Sequence, residues 1–245
     1  DLAAAVVAAA RGDLPSGLIA DLSEPMTQSF ETVIQSVRHW LGIRAPRLRP
    51  KLPDAILYMA RKCADALGHL GWRSPLRSTA LQALADGIRA DPTAWHKAGG
   101  KPCRSLAETL DSLPATRQER LFARLYFMLP LAIATLALFW CASGVITLID
   151  PARAITVLGT RDIPGWIAIP TVYGGALTDI LLGLAILWRP GARAAALGMI
   201  ALSATYLAGS LLVAPDLWLD PLGPMVKVIP GMVLAAMVAL MLEER

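Results

Sequence analysis

The chain is 245 residues long, 55% of them hydrophobic and only 17% charged, with a formal net charge of +4 and a mean hydropathy of +0.51. A soluble domain typically carries about 25% charge, so an ordinary soluble globule is excluded for the chain as a whole. The modest positive balance comes without interleaved aromatic and basic residues, which excludes nucleic acid as a partner and fits an anionic membrane surface better.

The first 115 residues are mixed in character and are read as a small α+β soluble segment. DLAAAVVAAARGD predicts a short helix with Asp1 as its cap and Gly12 past its end. GLIADLS, 17–23, has the content of a short strand. TQSFETVIQSVRHWLG predicts an amphipathic helix with Thr27 as cap, Phe30, Val33, Ile34, Val37 and Leu41 on one face, and Gly42 as the stop. IRAPRLRPKLP, 43–53, holds three prolines and four basic residues and is extended, with Leu48 and Leu52 facing inward. DAILYMARKCADALGHLG, 54–71, returns to helix, with Ile56, Met59, Ala60, Cys63 and Leu67 sharing a face. A further helix is expected over 79–90, opened by Thr79 and Gln82. DPTAWHKAGGKPCR reads as loop. Two capping boxes follow, Ser105 with Glu108 and Thr116 with Glu119, and the second opens a helix that leads into the apolar half. The domain boundary is therefore placed at 115/116.

Residues 116–245 predict a bundle of four transmembrane helices, with spans at about 125–149, 165–188, 194–214 and 221–242. Within these stretches the only charged residues are Asp179 and Lys227, and each stretch reaches the roughly 20 apolar residues a span requires. The fold class is thus mainly α. Arg117, Arg120, Arg124, Arg189, Arg193 and Arg245 flank one set of span ends, against Arg153 and Arg161 on the other. The positive-inside rule then puts both termini in the cytoplasm of a bacterial inner-membrane type protein. Trp140, Trp166, Trp188 and Trp218 are candidates for interfacial anchors. Pro130, Pro170 and Pro230 fall inside spans, and Pro170 with Gly174 and Gly175 predicts a kink. The stretch DPARAITVLGTRDIPG between the first two spans is expected to lie along the interface as a short amphipathic turn.

Asp179 poses the central question, because a carboxylate at the bilayer centre costs roughly 2.5–3.5 kcal/mol on insertion scales. Gly175 and Gly183 stand one helical turn to either side of it. Lys227 has the same setting, with Gly231 and Ala235 following at four-residue spacing. Both charges therefore sit on small-residue stripes that let helices approach closely, and intramembrane charges usually face the bundle and pair. The expectation is an intramembrane pair of Asp179 and Lys227, helped by a water, Thr178, Tyr173 or Tyr206, with Gly175, Gly183, Gly231 and Ala235 as packing positions. The alternatives are a ligand, quinone or proton role for the same residues, or Lys227 simply snorkelling to the interface.

Other chemistry-bearing residues give weaker patterns. Cys63, Cys103 and Cys141 form no C-x-x-C and are read as free thiols. His39, His69 and His96 are scattered, and no metal site is expected.

DLAAAVVAAARG resembles the helix that follows the h-h-V-D-D-h-A segment of extended short-chain dehydrogenase/reductases, the NAD-dependent epimerase/dehydratase group. LIADLSEPMTQSFETVIQSVRHWLGIRAPRLRPKLP is similar to the strand, helix and basic-proline strand that come next in that group. Tyr58 and Lys62 have the spacing of its catalytic pair, but they follow the resembled segment instead of preceding it and read as surface helix. SLAETLDSLPATRQERLFARLYFMLPLA and the spans after it resemble the DoxX-like membrane domain, with GALTDILLG and DPLGPMVKVIP carrying the likeness. The double resemblance implies a membrane-tethered NAD(P)-dependent oxidoreductase or epimerase acting on a lipid-soluble substrate. No glycine-rich phosphate turn follows any expected strand, so this chain is expected to hold no cofactor and no assigned catalytic residue, and NAD(P) is implied only for a longer parent. The alternatives are a quinone-linked membrane redox subunit and a non-catalytic anchor that recruits a nucleotide-binding partner. The expected partners are the lipid bilayer, such a nucleotide-binding domain, and a hydrophobic substrate or quinone.

Overall fold

Helix dominates the chain because its apolar stretches must satisfy their own backbone groups once water is excluded. The structure, a computed structural model, describes residues 1–44, 53–87, 89–221 and 223–243. In chain order the helices are α1 (Leu2–Arg11), α2 (Phe30–Trp40), α3 (Asp54–His69), α4 (Ser78–Asp86), α5 (Thr93–Lys97), α6 (Leu106–Asp111), α7 (Arg117–Leu125), α8 (Met128–Ile149), α9 (Pro151–Gly159), α10 (Gly165–Ala185), α11 (Ala192–Val213) and α12 (Val228–Glu243). A 3-10 turn at Pro215–Trp218 precedes α12.

The helices fall into two compact units. The first comprises Asp1–Ala64 and Pro75–Arg124. Its caps follow the local chemistry of the sequence. Gly12 closes α1 in the left-handed conformation at φ 80°, and α6 begins with the full Ser105–Glu108 capping box. At α7 the Thr116 N–H and hydroxyl both donate to the Glu119 carboxylate. Those bonds hold the Glu119 carboxyl below the usual range, as the Ser105 bonds do for Glu108. At α2 the cap is Ser29, two residues beyond the expected Thr27, and its hydroxyl accepts from the Thr32 N–H at 3.1 Å. Asp1 makes no side-chain cap bond, because Arg104 draws its carboxylate into an ion pair at 3.1 Å.

Two expectations for this unit are corrected. No strand forms among the described residues, so the α+β class does not hold there. Residues 18–24 are irregular, and a lone extended segment has no neighbour to complete its ladder. Its polar side chains are used instead: Glu24 accepts from the Leu106 N–H at 2.9 Å and Asp21 from the Asp91 N–H at 3.1 Å. The expected loop 91–104 contains α5, which buries Trp95 with its indole N–H donating to the Lys101 carbonyl at 2.7 Å. Gly100 lies so close to the Trp95 ring that no Cβ fits there. The proposed inward positions Leu48 and Leu52 lie outside the described residues.

The second unit comprises Asp65–Ser74 and Leu125–Arg245. Three helical stretches of the chain are long and apolar enough to cross a membrane: Arg117–Ile149 with 33 residues, in which a turn at Tyr126 and Phe127 joins α7 to α8, Gly165–Ala185 with 21 and Ala192–Val213 with 22. The fourth apolar stretch is helical only from Val228, giving α12 16 residues, a rise of about 24 Å against a hydrocarbon layer of about 30 Å. Among the described residues three helices are thus long and apolar enough to cross, and the expected fourth span corresponds to the shorter α12. Pro221 and Pro224 stand in the missing first turns of that stretch. Pro130 and Pro230 are the third residues of α8 and α12, where the backbone N–H has no intrahelical partner to lose. Pro170 lies inside α10, and the carbonyl it frees belongs to Trp166 in the first turn.

Helix α8 packs closely on α10, and α12 on both α11 and α8. The core joins Leu136, Ala137 and Trp140 of α8, Ala196 and Met199 of α11, and Ala235 and Val238 of α12. Trp140 is thus a core residue, whereas Trp166 and Trp188 are 77% and 54% exposed, as interfacial anchors are. Trp72 packs on the same core, and its indole N–H donates to the Leu187 carbonyl at 2.6 Å. The Arg193–Glu243 ion pair, at 2.9 Å, places the start of α11 and the end of α12 at one end of the bundle.

Candidate functional site

The carboxylate of Asp179 is the one buried charge among the described residues, at 6% exposure. It projects from α10, and both of its oxygens are engaged. The Ser143 hydroxyl of α8 donates to Oδ2 at 2.8 Å. The Tyr206 phenol of α11 donates to Oδ1 at 3.1 Å. Three helices thus converge on one acidic group, and the site exists only when they are assembled. Two hydroxyl donors offset part of the cost of taking a carboxylate out of water.

Glycines make the convergence possible. A Cβ on Gly144 would overlap the Ala176 carbonyl oxygen and stand 2.6 Å from Ile180 Cγ1. A Cβ on Gly183 would stand 2.6 Å from Cys141 Sγ and 2.9 Å from the Cys141 backbone nitrogen. These two contacts set the spacing of α8 and α10 on either side of Asp179. Gly175 faces the cluster itself, since a Cβ there would lie 3.1 Å from the Tyr206 hydroxyl. Gly231 has open space around it, and Ala235 is buried in the core.

The expected ion pair of Asp179 with Lys227 is not formed among the described residues. Lys227 lies in the turn before α12 and is exposed. Ser143 and Tyr206 occupy the positions around the carboxylate instead. Of the polar side chains considered as helpers, Tyr206 takes part, Thr178 donates to the Gly174 carbonyl at 2.7 Å, and Tyr173 is 46% exposed.

Residues 137–236 match the DoxX-like family. The matched region begins in α8, ends in α12, and contains Ser143, Asp179, Tyr206 and Lys227. No curated protein and no solved structure matches the chain. The match does not extend into residues 1–136, so the dehydrogenase-like reading of the first half has the sequence resemblance as its sole support. The apolar helices together with this match point to an integral membrane protein with a DoxX-like region at residues 137–236.

Within the DoxX-like region, Ser143 was missed by sequence reasoning. Its signal is the run Cys141-Ala142-Ser143-Gly144, a small and polar patch inside an otherwise bulky span, of the kind that marks close helix packing. The loops at the other end of the bundle hold a second ion pair, Arg161 with Asp216 at 2.7 Å. The Arg161 guanidinium holds the Asp216 carboxyl below the usual aspartate range. A depressed carboxylate contributes stability that is present above its unfolded pKa and lost as pH falls through the folded one. Carbon NMR of the labelled carboxyl should therefore find Asp216 titrating below an ordinary aspartate, and Arg161→Gln should move the midpoint up. An unchanged midpoint would mean the pair is absent in solution.

Proposed function

We propose that the DoxX-like region works through the Asp179 cluster as a hydrogen-bonding station inside the bilayer, receiving a lipid-soluble molecule with a hydroxylated head, of which a quinol is the model. The observation that carries this reading is a buried carboxylate satisfied only by hydroxyls. A carboxylate offers about four lone-pair sites, and Ser143 and Tyr206 use two. The spare capacity is for acceptance, so the matching ligand group is an O–H donor. Tyr206 is the accessible member at 38% exposure, and Gly175 leaves space beside its hydroxyl. A ligand arriving along the seam of α10 and α11 therefore meets Tyr206 first.

In this reading α12 completes the bundle as a fourth crossing, its missing length supplied by the turns before it. The Arg-rich end, with Arg117, Arg120, Arg124, Arg189 and Arg193, faces the cytoplasm with both termini. The NAD(P)-dependent parent and its nucleotide-binding partner are not needed for this site.

The test is equilibrium binding of a short-tailed quinol to the full chain in lipid nanodiscs under anaerobic conditions. Wild type should bind saturably, and more tightly than it binds the corresponding quinone. Asp179→Asn and Tyr206→Phe should each weaken quinol binding about tenfold, the scale of one charge-assisted hydrogen bond. Binding that is equal in wild type and both variants, or that never saturates, would overturn the reading.

A further inference from the structure

We propose that α7 is a docking surface for anionic phospholipid headgroups. This inference is independent of the Asp179 cluster and rests only on the chain being a membrane protein. On an ideal helical wheel Leu121, Leu125 and Phe122 occupy one arc of about 100°, and Arg117, Arg120 and Arg124 an adjoining arc of about 60°. Such a pairing of apolar and basic faces is the signature of a helix lying in the plane of a bilayer interface.

The structure shows which side of α7 is already occupied within its own unit. Gln118, Glu119, Phe122 and Ala123 line a hollow with Trp40 and Leu41 of the α2 end. On the helical wheel the arginine arc lies opposite this hollow, with Arg117 and Arg124 turned away from it, while the Arg120 guanidinium reaches back beside Gly42, whose Cβ position is 3.9 Å from Arg120 Cζ. Leu121 is 58% exposed, and Arg117, Arg120 and Arg124 are all exposed. Among the described residues none of the three arginines is in an ion pair, although Arg120 also donates to the Ala115 carbonyl. The neighbouring acid, Glu119, is bound into the cap by Thr116. It points its charge at the helix N-terminus and does not neutralise the stripe.

Continuity fixes the occupant. Only Tyr126 and Phe127 separate α7 from α8, whose apolar stretch is long enough to span the bilayer. Two residues extend at most about 7 Å, so α7 leads directly into the mouth of that span, where the headgroup layer lies. Three arginines held there meet phosphates in a layer where each cation near an anionic surface is favourable. Each guanidinium suits the bidentate geometry of a phosphate.

The test uses the full chain reconstituted in phosphatidylcholine vesicles containing a minority of phosphatidylglycerol, then extracted in mild detergent. The lipid retained by the protein is quantified by mass spectrometry. Wild type should retain phosphatidylglycerol about fivefold above its share of the vesicle, and Arg117→Gln, Arg120→Gln and Arg124→Gln together should abolish the enrichment. The charge-preserving triple change to lysine should keep most of it, which separates loss of charge from loss of fold. Neutralising Arg61, Lys97 and Lys101, also exposed, should leave it unchanged. The proposal is overturned if wild type shows no enrichment, if the glutamine variant keeps it, if the lysine variant loses it, or if the control set abolishes it.

Discussion

Gly144→Ala should destabilise the bundle by about 1–3 kcal/mol, the usual cost of forcing extra volume into a packed interior, and Gly144→Leu should prevent α8 and α10 from packing at all. The added Cβ meets the backbone carbonyl of Ala176 as well as the Ile180 side chain. A side chain can change rotamer, but a carbonyl inside a helix cannot move without breaking its own ladder. Gly174→Ala is the matched control. It is an exposed residue of α10, has nothing within 4 Å of its Cβ position, and should be neutral or slightly stabilising because alanine is the better helix former by up to about 1 kcal/mol. Unfolding in mixed detergent micelles measures both variants. If Gly144→Ala and Gly174→Ala behave alike, the close crossing of α8 on α10 is not present in the folded protein. Loss of that crossing would also carry Ser143 away from Asp179, because Ser143 is the next residue along α8.

Long-period signals in the sequence were the most legible. The charge-free runs delimit α8 and α11 to within a few residues, because an uncharged stretch of that length has no stable place but a lipid or protein interior. The capping boxes at Ser105 and Thr116 were legible for a similar reason: their bonds close within one turn and need nothing from the rest of the chain. Pairing was less legible. Residues 17–23 carry apolar residues at strand-like density, yet a strand depends on a neighbour that this stretch of sequence cannot reveal. The partner of Asp179 was sought among opposite charges, at Lys227, when the carboxylate is satisfied by hydroxyls from two other helices. Small-residue spacing pointed to Gly175 and Gly183 on α10 but gave Gly231 the same weight, and Gly231 has no close neighbour. Spacing within one helix reports which positions share a face. The crossing point of the partner helix decides which of those positions is used, and that depends on Cys141 and Gly144 of α8, which the spacing on α10 does not encode.

The double variant Ser143→Ala with Tyr206→Phe should lose more stability than the two single changes added together. Each single change removes one hydroxyl and leaves the Asp179 carboxylate with the other, a loss of about 1 kcal/mol on the scale of interhelical hydrogen bonds in membranes. Removing both leaves a buried carboxylate with no donor, and the loss then includes its full desolvation penalty, about 1–3 kcal/mol or more for a charged group. In an Asp179→Ala background the same two changes should cost little, since the hydroxyls would then have no carboxylate to serve. A double-mutant cycle in each background measures the difference, and additive losses in the Asp179 background would show that the two hydroxyls do not share one acceptor. The outcome also bears on how a ligand enters. Ser143 lies on α8 at the tightly packed crossing, whereas Tyr206 lies on the more exposed side of the cluster. An incoming hydroxyl therefore competes for the Tyr206 side of Asp179 first. Tyr206→Phe should alter ligand affinity and stability together, while Ser143→Ala should alter stability with a smaller effect on affinity.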